Sequence, residues 1–166
     1  MSNTKGKLET LVNVSIVLAA AALCAVLAKQ YLLTGDAPRA GGPQVGSRVE
    51  LAGADLSSDE RALLLVLQKG CHYCTDSGPF YRRLARAASA RGGRVKLVAV
   101  VPHDAEEGRR YLGDLGVPVE RVVQARLGSL DVSGTPTLIM LERGAVSDVW
   151  VGALPPEREA EVLAKL

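Results

Sequence analysis

Two cysteines separated by His72 and Tyr73, in the run Cys71-His72-Tyr73-Cys74, are the residues of this chain best suited to chemistry. They follow an apolar stretch, Ala62 to Leu67, and precede a helix-like segment that opens at Thr75-Asp76-Ser77. At such a strand-to-helix junction both sulfurs fall in the first helical turn, where unpaired backbone N–H groups and the positive end of the helix dipole favour a thiolate. The pair therefore reads as a dithiol that cycles with its disulfide, Cys71 being the nucleophile and Cys74 the resolving thiol one turn deeper. No cofactor beyond the Cys71–Cys74 disulfide is needed for that exchange. The charges of Lys69 and His72 are expected to favour the Cys71 thiolate further, with Tyr73 bordering the pair.

Other uses of two thiols differ in what must surround them. A structural zinc site takes four ligands, and only Cys24, inside an apolar segment, and His103 remain to contribute. A purely structural disulfide across so short a loop would remove little unfolded-state entropy. Cys71, Cys74 and His103 could together hold copper(I), since thiolate and imidazole suit that ion. His103 reads equally as a loop residue ahead of a helix cap, and no metal site is assigned. A third reading is a non-enzymatic assembly subunit that keeps the fold for docking, against which the intact cysteine pair stands.

At 166 residues and 48% hydrophobic composition, the chain has length for one core-forming domain and an additional element. A formal charge of +2 argues against a nucleic-acid surface, and Arg82, Arg83 and Arg86 read as one solvated helix face. From Thr10 to Ala28 no residue is charged. Roughly 19 helical residues reach about 28 Å, close to the hydrocarbon thickness of a bilayer. Residues 1–33 therefore read as a cytoplasmic stub and a single transmembrane anchor, with Lys5 and Lys7 before the span and Lys29 alone close after it. A signal peptide cleaved after Val26-Leu27-Ala28 is the rival. Both place the remainder in the periplasm or its extracytoplasmic equivalent, where disulfides persist. Cys24, within the apolar run, is expected to have no chemistry. Residues 34–46 are rich in glycine and proline and read as a flexible tether, leaving residues 47–166 for the folded domain.

Within that domain, Arg48 to Leu51 reads as a short strand and Asp55 to Glu60 as a polar turn. Ala62 to Leu67 and Val95 to Val101 are apolar enough for strands covered on both faces. Phe80 to Arg91 is a helix with Phe80, Leu84, Ala87 and Ala88 inward. Asp104 caps a helix over Ala105 to Leu115, with Glu107 placed to complete a capping box. A third strand covers Val119 to Gln124. Thr137 to Leu141 and Val146 to Val151 form a hairpin around Arg143-Gly144, and Pro156 to Leu166 is a closing helix. This order describes an α/β domain, a mixed central sheet with helices on both faces.

The chain resembles the thioredoxin superfamily in three separated features: Cys71-His72-Tyr73-Cys74 at the end of a core strand, Pro79 five residues after the second cysteine, and Gly134-Thr135-Pro136-Thr137 opening the hairpin. The resemblance implies that Pro136 is cis and lies against the dithiol, and that Thr135 and Pro136 border the substrate, Thr135 supplying backbone hydrogen bonds to an extended peptide. Within the superfamily it is similar to the membrane-anchored TlpA-like group of extracytoplasmic thiol-disulfide oxidoreductases. That implies protein thiols or disulfides as substrates and a membrane electron donor or acceptor as partner. Two departures stand out: Lys69-Gly70 replaces the usual tryptophan, and Leu65 stands where many thioredoxins bury an acidic residue. His72, Asp76 or water is then left to exchange the Cys74 proton.

Overall fold

Ala62 to Val66 is an uninterrupted aliphatic run, and a strand buried on both faces is the arrangement that removes such a run from water. The computed structural model describes residues 13–22, 42–52 and 54–166, and the chain divides into two units, Met1–Arg39 and Ala40–Leu166. In the second unit the elements are β1 (Arg61–Val66), α1 (His72–Asp76), α2 (Gly78–Ala90), β2 (Lys96–Val101), α3 (Ala105–Asp114), β3 (Arg121–Gln124), a 3-10 turn (Leu127–Leu130), β4 (Thr137–Glu142), β5 (Ala145–Val151) and α4 (Pro156–Ala164). The strands form one sheet in the order β3-β2-β1-β4-β5. β1, β2 and β3 are parallel, and β4 runs antiparallel to both β1 and β5.

Strand alternation divides the core in two. Leu63, Leu65, Leu67, Leu97, Ala99 and Val101 face the helices, meeting Phe80, Tyr81, Leu84, Leu112 and Val162. Leu64, Val66, Val98, Val100 and Ile139 face the opposite way, onto Val49, Leu51, Leu56, Leu130 and Val132. The expectation of helices on both faces is thereby corrected: α2, α3 and α4 cover one face, and irregular chain with the 3-10 turn covers the other. The reason is topological. The steps from β1 to β2 and from β2 to β3 run the same way across the sheet, so right-handed crossovers put both connecting helices on one side. α4 joins them through Arg91 Nη1, which donates to the Leu163 carbonyl at 2.6 Å, and the ion pair Arg83–Glu159.

Several expected boundaries move. Helix begins at His72 rather than Thr75, and it breaks at Ser77. Pro79 has no N–H to donate to the Thr75 carbonyl, so a continuous ladder is impossible there. On α2 the buried face includes Tyr81 and Ala85 beside Phe80, Leu84 and Ala88, while Ala87 is half-buried. Arg82 is not merely solvated, since its Nη1 donates to the Leu115 carbonyl at 2.8 Å. Asp104 caps α3 as expected, accepting from the N–H groups of Glu106 and Glu107 at 2.9 and 3.1 Å. Glu107, however, turns to Lys69 and leaves the capping box half made.

Arg48 to Leu51 forms only two isolated bridges, Arg48 to Ala145 and Leu51 to Ala54. The end of the expected tether is docked instead of free. Pro43 is buried, the Gly46 N–H donates to the Val146 carbonyl at 2.8 Å, and the Val146 N–H donates to the Ser47 carbonyl at 2.9 Å. This segment shields part of the β5 edge that would otherwise expose unpaired backbone groups. Residues 34–41 lie outside the described residues. In the first unit, residues 13–22 are helical. Among the described residues no helix is long and apolar enough to cross a membrane; the rest of the apolar stretch from Thr10 to Ala28, including Cys24, lies outside them.

α3 approaches the sheet through Gly108, where an added Cβ would stand 2.9 Å from Val101 Cγ2 and 3.1 Å from Val122 Cγ1. Gly108→Val is expected to destabilise the fold by about 2 kcal/mol through overpacking. Gly108→Ala should cost much less, because the roughly 1 kcal/mol gained in helix propensity offsets part of the strain. Urea unfolding followed by the fluorescence of the single tryptophan, Trp150, which is buried, measures both.

Candidate active site

Sheet register brings three loops to one end of the domain. Val66 pairs with Val100 on one side and Thr137 on the other, so the chain leaving β1, the chain leaving β2 and the chain entering β4 converge. The first of these turns at Gly70, whose φ of +80° suits glycine, and the Cys71 N–H donates back to the Gln68 carbonyl at 3.2 Å. Cys71 then takes an extended conformation as the N-cap of α1, and its Sγ accepts from the Cys74 N–H at 3.2 Å. The Thr135–Pro136 peptide is cis, and the Cys71 thiol donates to the Thr135 carbonyl at 3.3 Å. Cys71 is half-buried and Cys74 fully buried, both as free thiols.

Environment drives the two thiols apart. Partial burial pushes Cys71 up, but hydrogen bonding from the Cys74 thiol, the Thr135 side chain and the N–H groups of Cys74 and Tyr73 outweighs it, so its pKa lies below the ordinary thiol value. Burial pushes Cys74 up to about 12, and the hydrogen bond it shares with Cys71 adds to this. A low-pKa, accessible sulfur in front of a protonated, buried one is the arrangement needed for attack followed by resolution.

The flanking charges act differently from expectation. Lys69 Nζ is held by Glu107 Oε1 at 2.6 Å, and that contact is the chief reason the Glu107 carboxyl lies below its ordinary value. His72 Nε2 pairs with Asp76 Oδ2 at 2.9 Å on the solvent side, where the two side chains are 79% and 57% exposed. The largest influences on the Cys71 ionisation are its burial and the hydrogen bonds from Cys74, Thr135 and Tyr73. Cys74 is fully buried, and its hydrogen-bonding thiol partner is Cys71 itself. Tyr73, 61% exposed, lies edge-on to His72 with ring centroids 5.7 Å apart, giving the rim of the site a small aromatic surface.

His103 does reach the neighbourhood of the dithiol, but its Nε2 accepts from the Lys69 N–H at 3.1 Å. The lone pair that a metal would need is engaged. Among the described residues, no three or more His, Cys, Asp or Glu side chains are grouped to hold a metal ion. Sequence reasoning missed Tyr111, whose hydroxyl lies 3.2 Å from Thr75 Oγ1. The four-residue spacing of His103, Glu107 and Tyr111 carried that signal, masked by the reading of Glu107 as a cap.

No protein-family model matches this chain, and no curated protein matches it. Solved structures do. A thiol-disulfide isomerase from Corynebacterium glutamicum aligns with a TM-score of 0.53 at 17% identity, over 77% of this chain and 96% of that one. A Chlorobium tepidum chain assigned as the thiol:disulfide interchange protein DsbE aligns with a TM-score of 0.54 at 24% identity, over 74% and 96%. The thioredoxin domain of a Bacteroides vulgatus thiol-disulfide oxidoreductase gives 0.53 at 15% identity, over 75% and 96%. The fold is thioredoxin-like. These neighbours are thiol-disulfide oxidoreductases, and a Cys-x-x-Cys pair stands in this chain.

Iodoacetamide should modify Cys71 with a pH midpoint below that of free cysteine, because the thiolate persists to lower pH when its pKa falls. Cys74 should remain unmodified in the folded protein well past that midpoint. Mass-spectrometric mapping of the alkylated sites across pH checks both.

Proposed function

We propose that this chain is a membrane-tethered thiol-disulfide oxidoreductase acting on protein disulfides or dithiols outside the cytoplasm, working as a reductase. The observation that carries the reading is the partly exposed Cys71 Sγ, held as a helix N-cap 3.2 Å from the Cys74 N–H, with Cys74 buried behind it. The Cys71 thiolate attacks one sulfur of a substrate disulfide, forming a mixed disulfide and expelling the other sulfur as a thiolate. Cys74 then gives up its proton to the departing substrate sulfur and attacks Cys71 Sγ. The substrate leaves as a dithiol once its first-expelled thiolate takes a proton from water, two electrons have passed to it, and the Cys71–Cys74 disulfide remains for a thiol donor at the membrane to reduce.

Thr135 and Pro136 border the sulfur and supply the backbone edge along which an extended substrate would lie. The uncharged run from Thr10 to Ala28 supports the tether, the extracytoplasmic location and the membrane partner. Two effects oppose each other in setting direction. A stabilised thiolate raises the reduction potential, while the resemblance to TlpA-like proteins favours the reductase.

Cys74→Ser should accumulate mixed disulfides with substrate proteins, and Cys71→Ser should accumulate none. An absence of trapped species together with no turnover of a model protein disulfide would favour a docking subunit instead. Equilibration with glutathione fixes direction: a potential near about −120 mV would make the protein an oxidant. Membrane fractions washed with alkaline carbonate should retain the chain, and Cys71 should react with an impermeant thiol reagent added to intact cells.

A further inference from the structure

α3 and the residue two places before it present a half-buried polar stripe to the dithiol loop. His103, Glu107 and Tyr111 follow one another at four-residue intervals, each half-buried, while Glu106, Arg109 and Arg110 beside them are exposed. Within α3 the spacing puts Glu107 and Tyr111 on a single face, and His103 joins them from the chain before the Asp104 cap. All three reach the same short stretch of chain. His103 Nε2 accepts from the Lys69 N–H at 3.1 Å. Glu107 Oε1 pairs with Lys69 Nζ at 2.6 Å, and Tyr111 Oη lies 3.2 Å from Thr75 Oγ1. Lys69 is two residues before Cys71 and Thr75 is four after it, so the stripe grips the chain on both sides of the sulfur.

We propose that His103, Glu107 and Tyr111 form a clasp that positions Cys71, with His103 as the positioning residue that fixes the turn ahead of it. The inference rests on Cys71 being the nucleophile proposed above. Cys71 Sγ can accept from the Cys74 N–H only while the Gln68–Cys71 turn holds the cap at the right point over α1. Within that turn the Lys69 N–H ends on the imidazole. A ring nitrogen that accepts from an amide carries no proton, which leaves Nδ1, 3.4 Å from the Asp104 carbonyl, as the donor position of the ring. The close seat of α3 on Val101 and Val122 through Gly108 gives the stripe a fixed base. Loss of the His103 acceptor frees the turn, weakens the N–H contact to sulfur and makes the thiolate less favourable.

The test compares His103→Gln with His103→Asn in the full chain. A glutamine amide oxygen reaches roughly where Nε2 stands; an asparagine of the same chemistry falls short. Iodoacetamide alkylation of Cys71 across pH is the readout, with urea midpoints of both variants as the control for folding. His103→Asn should move the alkylation midpoint upward by about half a pH unit, or roughly threefold in thiolate at a pH below it. His103→Gln should stay close to the native chain. Equal midpoints in His103→Asn and the native chain would overturn the clasp, as would an equal displacement in both variants. The two proposals fail separately: a chain that turns over no protein disulfide loses its proposed function, whereas alkylation reports the Cys71 sulfur with or without a substrate.

Discussion

The site depends first on one backbone group, the N–H of Cys74, which ends on Cys71 Sγ at 3.2 Å. A serine, threonine, aspartate or asparagine oxygen is the preferred acceptor at this position. Here a sulfur takes it, and a thiolate accepts a hydrogen bond better than a thiol does. The contact that satisfies an otherwise unpaired donor of α1 therefore also shifts an ionisation, opposing the burial that acts on the same atom. Helix initiation and part of the nucleophile's activation thus share one interaction, and the buried Cys74 provides both the backbone donor and the second thiol.

That interaction is only as good as the placement of the N-cap, which the sheet sets. β1 lies in the middle, between β2 and β4, so the chain leaving it cannot drift sideways. The register with Val100 and Thr137 delivers the loop after β2 and the Thr135–Pro136 segment to the same end. With two successive crossovers on one face, α3 comes down beside the loop that α1 follows. A sheet whose helices alternated between faces would bring fewer polar side chains to that corner.

Much of this was legible in the sequence. The aliphatic runs of β1 and β2, the hairpin at Arg143-Gly144, the Asp104 cap and the cysteine pair each carry a local signal that the fold leaves intact. What was missed is non-local. Glu107 sits three residues after a cap and so reads as part of it, until Lys69, 38 residues earlier, is brought within reach by the sheet. Lys69 and His72 read as charges bearing on Cys71, but each is engaged by a carboxylate that spacing alone did not single out for Lys69. The glycine and proline content before Ser47 suggested a tether; its final residues are fixed by backbone pairing to β5, which composition does not reveal. Strand order was equally invisible, and with it the one-sided helical cover.

The three contacts that hold the loop from His103, Glu107 and Tyr111 use no sulfur. The Lys69 amide and ammonium and the Thr75 hydroxyl answer to His103, Glu107 and Tyr111, and these groups are chemically the same whether Cys71 and Cys74 are two thiols or one disulfide. The scaffold is in this sense indifferent to electron count. Closing the Cys71–Cys74 disulfide would act directly on the contacts that end on sulfur, from the Cys74 amide and to the Thr135 carbonyl, while the grip on the loop stays chemically unaltered each time the carrier is reloaded.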